Sequence, residues 1–410
     1  MKIAIFSDCY LDLTGGIVSS INAQKSALEN LGHTVYIFST AFPKTTDETR
    51  KLAKNNIFVV PSCRLLFRGL TPVSRRPRMI ERWLTREHPE IREFDVFYVH
   101  YESGCSIAGL RLAKKWRIPS VQVMHGREDM GVTSLVPKGL RTVVATFLNW
   151  FHSWYLPHPI KVKRDNYLAD TVAKAKMWTM MVNHANYADY VITPSKHFRK
   201  KLIHYGVKKD FLVFPNGYPD TKFPKQASVK VYNNNEPLKI IWHARVSGEK
   251  RILVLLEALR LVKGSYKLEI YGGGGDLKKA QKYAKKYRLN ATFYGNTSFE
   301  TVKKAILGAH LGVLVSYNFD NYPMTLVEDE AAGVPVLICD PDMQEIVPRG
   351  SYLLSKDETA PEIANALNKI FEQPEQIEAM SKVMIKHRDE VLISRRIKLL
   401  EQIFNDIIKK

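Results

Sequence analysis

Leu238-Lys239-Ile240-Ile241-Trp242-His243-Ala244-Arg245-Val246-Ser247-Gly248-Glu249-Lys250-Arg251-Ile252-Leu253-Val254 reads as a buried strand, a polar loop and the opening of a helix. Strand Leu238–His243 is followed by a helix expected over Arg251–Lys263. The alternation then continues: strand Lys267–Tyr271, the run Gly272–Gly275, helix Leu277–Tyr287, strand Ala291–Gly295, helix Phe299–Gly308, strand Leu311–Ser316, helix Tyr322–Ala332 and strand Val334–Cys339. Near-continuous apolar strands separated by helices indicate a parallel sheet covered on both faces. Upstream, residues 224–237 are polar and end in Asn233-Asn234-Asn235-Glu236-Pro237, a loop signature. Before that loop the same rhythm runs from the first residues, with strands expected at 3–6, 35–39, 57–60, 96–100, 120–124 and 190–193, and a helix Ile17–Leu31 stopped by Gly32. The chain therefore reads as α/β, with two Rossmann-like doubly wound units facing a cleft. Ligands of such sheets bind beyond the carboxyl ends of the strands. The expected division is 1–215, 216–385 and a C-terminal helix in 386–410, whose Ile397, Leu400, Ile403 and Ile407 recur at helical spacing.

Arg245 and Lys250 lie in the loop between strand and helix, where a ligand meets the sheet edge. A bidentate fork and a point charge suit a diphosphate. In Asp320-Asn321-Tyr322-Pro323-Met324-Thr325-Leu326-Val327-Glu328, Pro323 fits a helix start. The amides of Met324, Thr325 and Leu326 then form an anion site. Asp320 and Glu328 flank that helix end and can accept hydrogen bonds from hydroxyls of a sugar and a ribose, while Asp329 or Glu330 is expected on a solvated face. Gly273 and its neighbours, and Gly15-Gly16 in the first half, allow backbone to approach a nucleotide. Asp340-Pro341-Asp342 follows a strand and reads as structural.

These ordered pieces resemble the retaining glycosyltransferases of family four, with the GT-B fold. They are Gly15-Gly16, Pro215-Asn216-Gly217, Arg245 with Lys250, Gly272–Gly275, and two acids eight apart running into Ala331-Ala332-Gly333-Val334-Pro335-Val336. The resemblance spans nearly the whole chain. It implies a hexosyltransferase in which Arg245 and Lys250 hold the donor diphosphate, Glu328 the ribose and Asp320 the sugar. Gly16 would lie near the phosphate and His125 near the sugar. It also implies no cofactor or catalytic metal, and front-face transfer in which a donor phosphate oxygen takes the acceptor proton. UDP-hexose is the expected donor. Asp320 stands where the family usually has Glu, and Ala244 where it commonly has Gly.

Lys and Arg total 61 against 41 Asp and Glu, a formal charge of +20, which attracts anionic partners. Phe147, Trp150, Phe151 and Trp154 repeat at helical spacing between Lys138, Arg141 and Lys161, Lys163, Arg164. Such a stripe belongs to core, to a partner chain or to an anionic membrane surface. Further basic segments run over 64–86 and 196–209. His125-Gly126-Arg127-Glu128-Asp129 resembles the corresponding loop of diacylglycerol glucosyltransferases, which implies a lipid acceptor with Glu128 or Asp129 orienting its hydroxyl. No run approaches the roughly 20 apolar residues of a spanning helix, and the N-terminal apolar run is short for a secretory signal. Cys9, Cys63, Cys105 and Cys339 are scattered, as in reduced cytosolic proteins. The expected location is cytoplasmic, peripheral on the inner face of the cell membrane. Two alternatives follow from the same features: a glycan or soluble acceptor for the same chemistry, and, from charge alone, nucleic-acid binding. The latter lacks any recognition motif, so no nucleic-acid partner is expected.

Overall fold

The computed structural model describes residues 1–8, 16–40, 52–63 and 73–409. Gly15 and residues 64–72 of the 64–86 basic segment lie outside them. The chain divides into two compact units, 1–217 with 396–410, and 218–395.

The first unit carries a parallel sheet built from β1 (Lys2–Ser7), β2 (Thr34–Ser39), β3 (Ile57–Val59), β4 (Val96–His100), β5 (Ser120–Val123), β6 (Tyr190–Thr193) and β7 (Asp210–Val213), in the order β3-β2-β1-β4-β5-β6-β7. The strand order reverses between β1 and β4, the position in such a sheet where ligands bind beyond the carboxyl ends of the strands. Ile3, Ile5, Phe6, Phe38, Val96 and Phe97 are fully buried, as a sheet covered on both faces requires. Helices of this unit include α1 (Gly16–Asn30), α2 (Glu128–Leu135), α3 (Arg141–Ser153) and α4 (Val172–Tyr187). Gly32, at φ +85°, turns the chain after α1, the left-handed stop that glycine provides. β7 was not anticipated, because Lys208, Lys209 and Asp210 interrupt the apolar pattern at this sheet edge.

The second unit contains β8 (Leu238–His243), α5 (Ile252–Leu259), β9 (Tyr266–Tyr271), β10 (Ala291–Gly295), β11 (Leu311–Leu314), α6 (Met324–Ala331), β12 (Val336–Ile338) and β13 (Tyr352–Leu354). Its parallel sheet has the order β10-β9-β8-β11-β12-β13, and the reversal falls between β8 and β11. The core packs Trp242, Ile240, Leu255, Leu268 and Ile270 beneath Leu367 and Ile370. The helix expected to begin at Arg251 begins instead at Ile252. Arg251 is left-handed, φ +62°, and its guanidinium donates to Val315 O and Glu358 O. Helix α7 (Ile393–Ile408) ends the described chain. Its Ile397, Leu400, Ile403 and Ile407 are buried, Phe404 meets Tyr98 edge-on, and Glu401 pairs with His33 at 2.8 Å.

The glycine run also shapes a neighbouring loop. Gly272 has φ +128°, and a Cβ there would lie 2.2 Å from Ala244 O. Gly273 O accepts from Val246 N at 2.9 Å, and Asp276 N donates to Val246 O at 3.0 Å. The glycines thus let one loop's backbone lie directly on the 244–246 loop, and they fix that loop's shape. Gly272→Ala is expected to cost about 1–3 kcal/mol through backbone strain. An unchanged thermal midpoint would show that the two loops yield independently.

Candidate active site

In the second unit, four expected residues converge on the carboxyl ends of β8 and β11. Lys250 is buried, and its Nζ lies 2.6 and 2.9 Å from the two carboxylate oxygens of Asp320. Ser316 Oγ donates to the same carboxylate. The left-handed turn at Arg251 closes the short helical turn Gly248–Lys250 that carries Lys250. An ammonium has three donors, so a lysine that grips Asp320 keeps capacity for a further anion. Arg245 is the solvent-facing cation of the pair, with 67% of its side chain exposed and its guanidinium 3.1 Å from Glu249 Oε1. Ser247 Oγ holds Glu249 at 2.7 Å.

Pro323 is the N-cap of α6 rather than its first residue. Leu326, expected to offer a free amide, donates it to Pro323 O at 3.2 Å and is buried. Met324 and Thr325 therefore supply the first-turn amides of an anion site. Glu328 is partly exposed, and its Oε2 lies 3.2 Å from Nδ1 of His243. Nε2 of the same ring lies 2.9 Å from Asp329 Oδ1. Asp329 and Glu330 are both buried, which corrects the reading that one of them faces solvent. Burial alone drives an imidazolium toward neutrality; here the Asp329 charge and hydrogen bond, joined by Glu328, outweigh it and push His243 up to about 10. Burial raises Asp329 as well, so the two groups compete for one proton. With two carboxylates facing one ring, the ring keeps it. Asp340, from the pair of acids around Pro341, caps the following turn through Asp342 N and accepts from Asn318 N at 2.7 Å.

In the first unit the loops after β1, β4 and β5 gather another polar set. Asp8 accepts from Ser74 Oγ, from Cys105 N and from Ser106 N and Oγ at 2.6–3.1 Å, a carboxylate seated on a helix N-terminus. His100 Nδ1 and His125 Nε2 lie 2.7 Å apart, and the rings stack. Burial lowers His125 to about 4, and burial joined by the charge of His125 lowers His100 too, so both rings are neutral. Arg127 forms a two-pronged bridge to Asp129 at 2.8 and 2.6 Å, with side chains 2% and 0% exposed. Asp129 is thereby committed to the fold and withdrawn from any acceptor. Glu128 is the available acid: burial, then the Asp129 charge, raises it to about 7. Glu102, absent from the sequence reading, is buried, and burial with the charges of Glu128 and Asp8 pushes it up too. It follows Tyr101, at φ +74°, whose carbonyl accepts from Gln122 Nε2 at 3.0 Å.

Helix α3 presents Val143, Phe147 and Trp150 to solvent, and Trp154 follows; Phe147, Trp150 and Trp154 are 56%, 46% and 59% exposed. The core reading of this stripe fails for those three residues. Phe151 leans on Tyr155 instead. Among the described residues no helix is long and apolar enough to cross a membrane.

A family model described as Glycosyltransferase Family 4 matches residues 14–222, more than half of the chain. The chain belongs to glycosyltransferase family 4. Residues 225–387 match a second model, Glycosyl transferases group 1. This glycosyltransferase is 26% identical to an alpha-monoglucosyldiacylglycerol synthase of Acholeplasma laidlawii over 82% of this chain and 80% of that one. An alpha-monoglucosyldiacylglycerol synthase of Streptococcus pneumoniae is 22% identical over 82% and 70%. The structure of Anabaena HepE in complex with UDP matches with TM-score 0.68 at 15% identity, covering 99% and 100% of the two chains, which shows a shared GT-B fold.

The two acids of α2 separate structure from chemistry in the glycosyltransferase. Asp129→Asn strands a buried guanidinium and is expected to cost about 3–5 kcal/mol. Glu128→Gln behaves oppositely. A carboxyl raised from 4.5 to about 7 makes the fold lose stability as pH rises through that window. The glutamine variant should therefore be at least as stable as wild type at pH 8. Thermal unfolding of both variants at pH 5 and pH 8 checks the contrast.

Proposed function

We propose that this glycosyltransferase is a retaining hexosyltransferase. It moves a hexose from a nucleotide-sugar donor, UDP-hexose, to a membrane lipid such as diacylglycerol or glycosyl-diacylglycerol. The observation that carries the lipid acceptor is the exposed aromatic face of α3. An amphipathic aromatic face with exposed cations beside it, here Lys138, Lys161, Lys163 and Arg164, fits the interface of an anionic membrane. Each such cation adds about 1 kcal/mol of attraction to acidic lipid. The similarity of most of the chain to two alpha-monoglucosyldiacylglycerol synthases supports the same reading. The enzyme would work at the cytoplasmic face of the membrane, in glycolipid biosynthesis.

In this reading Arg245, Lys250 and the amides of Met324 and Thr325 neutralise the diphosphate as it leaves. That places fixed charge where negative charge develops. Lys250 links this grip to Asp320, the sugar ligand, so a single ammonium reports on both halves of the donor. Glu328 takes the ribose hydroxyls. Gly16 borders the phosphate, and neutral His125 offers a hydrogen bond to the sugar without adding charge. Glu128 orients the acceptor hydroxyl, whose proton passes to a donor phosphate oxygen on the same face.

Arg245→Ala and Lys250→Ala are each expected to lower kcat/KM about 10- to 100-fold, the worth of a charged hydrogen bond, with the fold retained by circular dichroism. Near-wild-type turnover in both would remove the donor-site assignment. In flotation at low salt, wild type should rise with vesicles containing acidic phospholipid, and the Trp150→Ala, Trp154→Ala double variant should not. Wild type that stays at the bottom of the gradient would point to a glycan or soluble acceptor.

A further inference from the structure

We propose that His243 is a positioning residue of the donor site: its ring, hydrogen-bonded to Asp329 through Nε2 and ion-paired with Glu328 through Nδ1, holds Glu328 in the orientation that takes the ribose hydroxyls. The inference rests on the reading of Glu328 as the ribose ligand. His243 is the last residue of β8, at the reversal of strand order, and only 3% of its side chain is exposed. Its two nitrogens face two different carboxylates, Nε2 to Asp329 at 2.9 Å and Nδ1 to Glu328 at 3.2 Å. A neutral imidazole has one N–H, and an imidazolium has two. Only the protonated ring turns an N–H toward each acid, so that it bonds Asp329 and pairs with the charge of Glu328 at once.

The far side of the clamp is built as well. Asp329 packs its carboxylate against Gly312 in β11, where a Cβ would lie 2.4 Å from Oδ2. Any side chain at 312 would push Asp329 onto the ring. Gly312, Asp329, His243 and Glu328 thus form a line from the sheet to the partly exposed acid. Asp329 anchors the ring, and the ring holds Oε2 of Glu328, which leaves Oε1 to meet a ligand. Without the cation, Glu328 and the buried Asp329 would be neighbouring carboxylates with no positive charge between them. One of them would then take up a proton or swing away.

A clamp predicts a loss that simple destabilisation does not: the enzyme should stop sensing the ribose. Binding of UDP and 2′-deoxy-UDP is measured by calorimetry on wild type and His243→Gln, with the guanosine and adenosine diphosphate pairs run in parallel. The pair whose ribonucleotide binds wild type most tightly is used. Wild type should prefer the ribonucleotide about tenfold or more, and the preference should fall to within about threefold in His243→Gln. A variant that binds with the full wild-type preference overturns the proposal. Wild type with no preference, or with no nucleotide bound, instead overturns the ribose reading and removes the basis of the clamp. Nitrogen-15 histidine NMR on wild type at pH 8.5 decides the matter if the variant fails to fold. One of the 12 histidines should stay protonated at both ring nitrogens, and a spectrum of neutral rings alone overturns the clamp.

Discussion

A parallel sheet buried on both faces leaves charge one place to go, the loops at the carboxyl ends of its strands. That constraint shapes both units. Along β1 and β8 no ionisable side chain is buried before the strands end, where Asp8, one residue past β1, and His243, the last residue of β8, are the first to turn inward. The strand order reverses beside each of these strands, the position where sheets of this kind take their ligands. Every polar group brought there must then find partners, because an unpaired buried charge costs several kcal/mol.

The two units meet this demand in opposite electrostatic ways. His125 and His243 are the same side chain at comparable places in comparable sheets. His125 has another imidazole for a neighbour and is held neutral; His243 has two carboxylates and is held charged. Burial acts in the same direction on both, so the neighbours decide the outcome. The second unit accordingly gathers cations, Lys250, Arg245 and the imidazolium, around carboxylates that restrain them. The first unit gathers neutral rings and carboxyls that hold protons to unusually high pH. One suits a ligand with phosphates and the other a ligand with hydroxyls.

Much of this was legible from residue order. The apolar runs gave most strands to within a residue or two, and the loop containing Arg245 and Lys250 stood out because cations followed a strand. Convergence in space was harder to read. Lys250 and Asp320 are 70 residues apart, and only the adjacency of β8 and β11 joins them. Asp329 looked like one of three consecutive helix acids, and its partner His243 looked like the end of a strand. Nothing local marks the pair, though a histidine ending a buried strand was a cue. Asp129 misled for the opposite reason: a Glu-Asp pair after a strand suggests chemistry, yet Arg127, two residues earlier, consumes one member. The glycines' packing against another loop was not legible, because composition signals a close backbone approach without naming every object of it.

The exposed face of α3 also gives the molecule a built-in optical reporter. Trp178 and Trp242 are wholly buried, whereas Trp150 and Trp154 stand in water with ring centroids 4.1 Å apart. Their emission is the part of the protein's fluorescence most open to a change in the polarity outside the chain, since Trp83 and Trp116 are only partly exposed. Whatever covers that helix changes the colour of the light it gives off, and no label is needed to see it.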